Sequence, residues 1–154
     1  MDIVELKERQ NVTGNKKWSV AYAQFGALRE ALTKKSLSPE VRDAINQDIH
    51  ELNSIPAEDD HLLKMVKDKQ SKILKLLEKE LKIVPKNHYR NLWMAVGMSA
   101  FGLPLGLAFG LSLGNIGLMA IGLPIGMAIG TAVGSGMDKK ASVEGKQLDV
   151  ELKP

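Results

Sequence analysis

The feature that most restricts this chain is a stretch of 47 residues, Asn91 to Met137, that contains no charged side chain. Arg90 closes it on one side and Asp138-Lys139-Lys140 on the other. A run of 18 or more apolar residues is long enough to cross a bilayer, and one crossing needs about 20. As continuous helix the stretch would be roughly 70 Å long, at ~1.5 Å per residue. That length predicts two crossings joined by a tight turn, with helices over about 92–111 and 117–137 inside a hairpin at 86–140.

The stretch repeats itself. Residues 96–114 align without gaps on 116–134, and nine positions are identical, among them Gly97/117, Pro104/124 and Gly106/126. Each half carries glycines at four-residue steps: Gly102, Gly106, Gly110 and Gly114, then Gly122, Gly126, Gly130 and Gly134. In water, glycine costs a helix roughly 1 kcal/mol per residue against alanine. In lipid every backbone group must bond internally, so helix is close to obligatory and the glycines are tolerated. Residues four apart share one helical face. Each ladder is therefore a groove free of side chains, into which a neighbouring helix settles closely. Pro104 and Pro124 each remove one backbone hydrogen bond and are expected to bend their helices. The turn is placed at Ser112–Gly117, with Asn115 as its polar residue.

The boundary residues agree with a membrane setting. Tyr89 and Trp93 are amphipathic rings of the kind found at a membrane–water boundary, and Arg90, Lys139 and Lys140 can reach headgroups. Basic residues flank both outer ends and the turn has none, so both termini are expected to face the cytoplasm of a multi-pass protein of the cell (inner) membrane. Met1 is not followed by a basic, apolar, small-residue leader, and insertion is expected to be directed by the hairpin itself.

With GLPLGLAFG and GLPIGMAIG on its ladders, the segment 97–136 resembles the glycine-zipper class of bacterial membrane proteins. Some of that class are oligomeric or channel-forming. The resemblance implies close helix packing and assigns no activity. Ladders of this kind suit packing between copies as well as within one, and a homo-oligomer is expected.

The remainder of the chain is polar and sharply segregated in charge. Residues 36–60 carry a net charge of −6 and residues 61–90 a net of +6, behind a whole-chain value of +3. The basic block adjoins the apolar stretch, which points to anionic headgroups, worth about 1 kcal/mol per basic residue near the surface. It has no interleaved aromatics and no nucleic-acid motif, which speaks against nucleic acid. There is no cysteine, so disulfides and thiolate metal sites are excluded.

Three helices are expected over 15–85. Trp18, Tyr22, Phe25, Leu28 and Leu32 share one face of the first, with Asn15 as N-cap. Ser38-Pro39-Glu40 opens the second, whose stripe is Val41, Ile45, Ile49 and Leu52. A second start signal at Ser54–Asp60 opens the third, which is expected to run to about Val84 and to stop at Pro85. The acidic second helix should lie against the basic third. Residues 1–14 are expected to be flexible and 141–154 to form a cytoplasmic tail, although Leu148–Leu152 alternates as a strand does.

The fold class that follows is an all-α membrane protein, a two-helix transmembrane hairpin with a small cytoplasmic three-helix domain. His50, His61 and His88 match no metal-binding spacing and read as solvated histidines. There is no nucleophile elbow, phosphate loop or intramembrane acid or base. No enzyme and no cofactor are expected. Two functions remain: anchoring and oligomerising a domain that recruits a cytoplasmic protein partner, or acting as an effector or toxin that permeabilises the membrane as an oligomeric pore.

Overall fold

A computed structural model describes residues 2–9, 15–56 and 61–152 of the chain. Among these the architecture is helical and divides into two compact units, Met1–Pro85 with Leu148–Pro154, and Lys86–Gln147.

The first unit is built on α1 (Lys16–Thr33), α2 (Pro39–Ser54) and α3 (Leu62–Leu81). The local signals act as their chemistry dictates. Asn15 Oδ1 accepts the Lys17 N–H at 2.9 Å, and Ser38 Oγ accepts the Val41 N–H ahead of Pro39. The apolar stripes meet in one core, in which Phe25, Leu28, Ile45, Ile49, Leu52, Val66, Ile73 and Leu77 are all but fully buried. The acidic start signal at Glu58–Asp60 lies outside the described residues, and His61 makes no side-chain cap bond.

The acidic and basic helices do lie together. Lys69 Nζ and Lys72 Nζ stand 2.6 and 2.8 Å from Asp48 Oδ1, and Lys69 also pairs with Glu51. Asp48 is only 2% exposed. Burial pushes its carboxyl up, but the hydrogen bonds from Lys69 and Lys72 outweigh burial and hold it below its ordinary value. Burial likewise pushes the Lys69 ammonium down, and its bonds to Asp48 and Glu51 carry it above its ordinary value.

Three expectations are corrected here. Residues 2–9 are not loose: they run extended along α2 and are held by two asparagines. Asn46 accepts the Val4 N–H at 2.9 Å and donates to Asp2 O at 3.4 Å, while Asn53 accepts the Lys7 N–H and donates to Glu5 O, both at 2.8 Å. The register has a simple origin. Seven residues of helix rise about 10.5 Å, and three residues of extended chain span about 10 Å, so Asn46 and Asn53 meet every third residue of the segment. Arg9 then caps α2, donating to Ile55 O and Leu52 O at 2.6 and 2.9 Å. Residues 10–14 lie outside the described residues.

The tail is the second correction. Leu148 is fully buried and donates its N–H to Val84 O at 2.8 Å, with Val150 and Leu152 packed on the same core. The alternation in 148–152 is thus that of an extended segment with one face inward. Third, α3 stops at Leu81, short of Pro85. Lys82 takes a left-handed conformation (φ 56°), and the chain leaves the helix so that Ile83 and Val84 are buried at 8% and 0% exposure.

The second unit is an antiparallel helical hairpin. Its first arm is α4 (His88–Gly97), a π-helical turn (Met98–Gly102) and α5 (Leu103–Ser112); its second is a 3₁₀ turn (Ile116–Leu118) and α6 (Met119–Val143). Both arms exceed the expected 92–111 and 117–137. The second continues through Asp138-Lys139-Lys140, because charge ends an apolar run without ending a helix.

Candidate functional site: the glycine-faced hairpin

The turn forms where expected, and glycine and asparagine divide its work. Gly114 takes φ 59°, which an L side chain rarely adopts, and so releases the chain from α5. Asn115 Oδ1 then accepts the Gly117 N–H at 2.9 Å, and Asn115 O accepts the Leu118 N–H at 3.0 Å, which starts the second arm. Gly114 was expected to belong to the packing ladder. It does not: it has left the helix, and a Cβ there would meet nothing within 4 Å.

The other ladder glycines pack across the hairpin, Gly102 against Gly122 and Gly126, Gly106 against Gly122, and the rest against other residues of the opposite arm. Gly102, Gly106, Gly110, Gly122, Gly126, Gly130 and Gly134 are all buried. A Cβ on Gly126 would stand 2.6 and 2.7 Å from Gly102 N and Cα, and closer still to Gly97 O. One on Gly122 would strike the backbone of Gly102 and Gly106, one on Gly130 that of Trp93 and Met94, and one on Gly134 that of Tyr89 and Arg90. Most of these neighbours are backbone atoms, which cannot rotate away. Met119 lies across from Gly106 with its backbone and from Gly110 with its side chain.

Gly97 is a packing residue that the four-residue spacing missed. It sits five residues before Gly102, and an α-helix would rotate it off the ladder face. The π-helical turn between them absorbs the extra residue: Leu103 donates its N–H to Met98 O, five residues back. Gly97 thereby stays on the packed face, buried, where a Cβ would meet Gly126 O and, at 2.8 Å, Gly130 Cα. The two prolines, equivalent in the repeat, have different surroundings. Pro104 follows this π-helical turn at the start of α5, whereas Pro124 lies inside an unbroken α6.

At the open end the ladder of α6 takes one more four-residue step, from Gly134 to Asp138. Asp138 is 7% exposed. Its Oδ1 accepts the Tyr89 N–H at 3.1 Å and its Oδ2 the Arg90 N–H at 2.9 Å. The helix N-terminus of α4 has no side-chain cap of its own, since Asn87 at φ 60° makes no side-chain capping bond. A carboxylate from the other arm caps it, across 48 residues of sequence. Of the expected boundary residues, the structure brings the Tyr89 and Arg90 backbone against Gly134 and Asp138, sets Trp93 over Gly130, and leaves the Lys139 and Lys140 side chains exposed.

The outer surface is the reverse of a soluble helix pair. Leu92, Phe101, Leu103, Leu107, Leu111, Ile121, Leu123, Met127 and Val133 are each 40% exposed or more. Both arms, His88–Ser112 and Ile116–Val143, are long and apolar enough to cross a membrane, and only 22% and 17% of their most apolar windows are buried. Among the described residues no three His, Asp or Glu side chains come together to hold a metal. Comparison with protein-family models, with curated proteins and with solved structures finds no match.

Proposed function

We propose that this is an integral membrane protein whose hairpin crosses the bilayer twice as a self-packed unit and anchors the helical unit as a cytoplasmic interaction module. The observation that carries the reading is the inversion of the hairpin: its glycines are buried and its large apolar side chains face outward. In water that arrangement exposes far more contiguous apolar surface than a soluble monomer presents. In lipid it is the ordinary one, because close backbone packing drives association where the hydrophobic effect does not.

The same geometry bears on oligomers. The glycine faces are used between the two arms of one chain, so self-association would use the outer surface instead. That surface carries no ring of polar side chains to line a water path, which favours the anchor over the pore. In this reading Arg90, Lys139 and Lys140 sit at the cytoplasmic headgroups. The exposed lysines of α3 add attraction to anionic lipid, apart from Lys69 and Lys72, which Asp48 and Glu51 already hold.

The test is extraction of membranes at alkaline pH. The protein should stay with the membrane pellet, as an embedded hairpin does. Release into the supernatant, as for a protein bound only through its lysines, would overturn the reading.

A further inference from the structure

The two ends of the hairpin are built differently. Its charged residues and amphipathic rings, Tyr89, Arg90, Trp93, Asp138, Lys139 and Lys140 among them, are all at the open end. Membrane proteins ordinarily mark each boundary with Trp, Tyr, Lys or Arg. The turn, Ser112–Gly117, has none of these. The large side chains around it are Leu111, Leu113 and Ile116, exposed at 78%, 65% and 79%, more than the mid-arm Leu103 at 54%.

The turn is also closed on itself. Leu113, Gly114 and Asn115 donate their N–H groups to Phe109 O, Leu111 O and Gly110 O. Gly117 donates to Asn115 Oδ1, Leu118 to Asn115 O, and Met119 to Gly117 O and Ile116 O. Among residues 113–119 only the Ile116 N–H lies outside these bonds. A turn in water can leave such groups to the solvent. Among acyl chains each one left unbonded costs several kcal/mol.

The arms are matched to the hydrocarbon core. From Arg90 to Leu113 and from Asp138 to Ile116 they rise roughly 35 and 33 Å, at ~1.5 Å per residue. The core is about 30 Å thick, and the bilayer with its headgroups about 40–45 Å. The arms bring the turn to the far hydrocarbon boundary and stop it short of water.

We propose that Leu111, Leu113 and Ile116 form a lipid-contact surface that rests in the far leaflet, among headgroups and upper acyl chains, so that the hairpin is held in depth from its open end alone. The partner is the far-leaflet lipid. The inference rests on the reading that the hairpin crosses the bilayer. A loop pinned by charges resists submersion, and a thicker bilayer must then adapt to it. This turn sinks instead, because submerging it strands few polar groups.

The test varies bilayer thickness. The full-length protein is reconstituted in di-14:1, di-18:1 and di-22:1 phosphatidylcholine. The chain has no cysteine, so a nitrobenzoxadiazole label is placed singly on Leu103→Cys, Leu113→Cys or Lys75→Cys, and Trp93 emission is followed in Trp18→Phe. In di-18:1 lipid the Leu113 label should emit at a wavelength between those of the Lys75 label, in water, and the Leu103 label, at mid-bilayer. From di-14:1 to di-22:1 the Leu113 emission should shift to the blue, towards that of Leu103, while Trp93 emission stays constant. Adding Ile116→Lys at its exposed position gives the turn a charged anchor and should abolish the Leu113 shift.

A Leu113 label as water-like as that on Lys75 at every chain length would overturn the proposal. So would a shift at Trp93 with none at Leu113, or a Leu113 shift that persists in Ile116→Lys. A Leu103 label that emits no further to the blue than Leu113 in di-18:1 lipid would overturn the crossing itself, and the proposal with it.

Discussion

Replacing Gly126 by alanine tests the hairpin at one of its close backbone contacts. The new Cβ would be placed 2.6 Å from Gly102 N and 2.7 Å from Gly102 Cα, whereas non-bonded carbons rest at about 3.5–4.0 Å. Both atoms belong to the backbone, so the arms must part by about 1 Å, a gap that forfeits roughly a quarter to a half of the dispersion attraction across the contact. Overpacking of this kind costs about 1–3 kcal/mol, and the better helix propensity of alanine returns up to ~1 kcal/mol. The net expectation is a loss of about 1–2 kcal/mol. Gly136→Ala is the matched control, in the same helix with nothing within 4 Å of its Cβ, and should be neutral or slightly stabilising. The chain has no cysteine, so spin labels on Leu92→Cys and Lys139→Cys report the separation of the arms in bilayers. SDS titration of the folded protein reports stability. Gly126→Ala should widen the distance distribution and lower the SDS midpoint, and Gly136→Ala should change neither. Equal tolerance of the two substitutions would refute the claim that backbone contact between these glycine faces holds the hairpin together.

Three further outcomes follow from particular contacts. Asp138→Ala should lower the SDS midpoint by about 1 kcal/mol, as loss of a helix cap does, with Asp138→Asn retaining part of it; no change in Asp138→Ala would remove the cross-arm cap from the account. Asn46→Ala with Asn53→Ala should free residues 2–9, seen as faster amide hydrogen exchange at Val4 and Lys7 while the α2 core stays protected; unchanged exchange would show that Ile3 and Arg9 hold the segment alone. The helical unit should also depend on pH through Asp48. Its carboxyl lies below its ordinary value in the folded protein, so its contribution is complete above the unfolded pKa, about 3.9, and is lost as pH falls through the folded value. Lys69, held above its ordinary value, contributes fully below about 10.4 and loses that contribution at higher pH. Asp48→Asn should therefore flatten the acid limb of stability against pH, and an unchanged acid limb would contradict the assignment.

What the sequence made legible was local. The N-caps at Asn15 and Ser38, the turn at Asn115, the two apolar arms and the face of each ladder all follow from patterns within a few residues. The features it hid depend on distant partners. Nothing near Val4 or Lys7 reveals that Asn46 and Asn53 hold their backbone, because the match is between a helical rise and an extended rise 42 to 46 residues away. Asp138 read as the first charge after an apolar run; its four-residue spacing from Gly134 was the available sign that it belonged to the packed face. Gly97 was off the ladder by one residue and returned to it through a π-helical turn that no residue pattern announces. Gly114 kept the spacing of the ladder, yet the need for a positive φ at the end of α5 claimed it for the turn. Charge complementarity between α2 and α3 was visible, but not that it would centre on the buried carboxylate of Asp48.

The most direct measurement of the central claim is the side of the membrane on which each end of the hairpin lies. Leu113→Cys is in the turn and 65% exposed, and Lys75→Cys is on the exposed face of α3. Single-cysteine proteins in sealed inverted and right-side-out vesicles are treated with a membrane-impermeant maleimide. A hairpin that crosses twice with its termini in the cytoplasm predicts that Lys75→Cys reacts only in inverted vesicles and Leu113→Cys only in right-side-out ones. Reaction of both from the same side would contradict it.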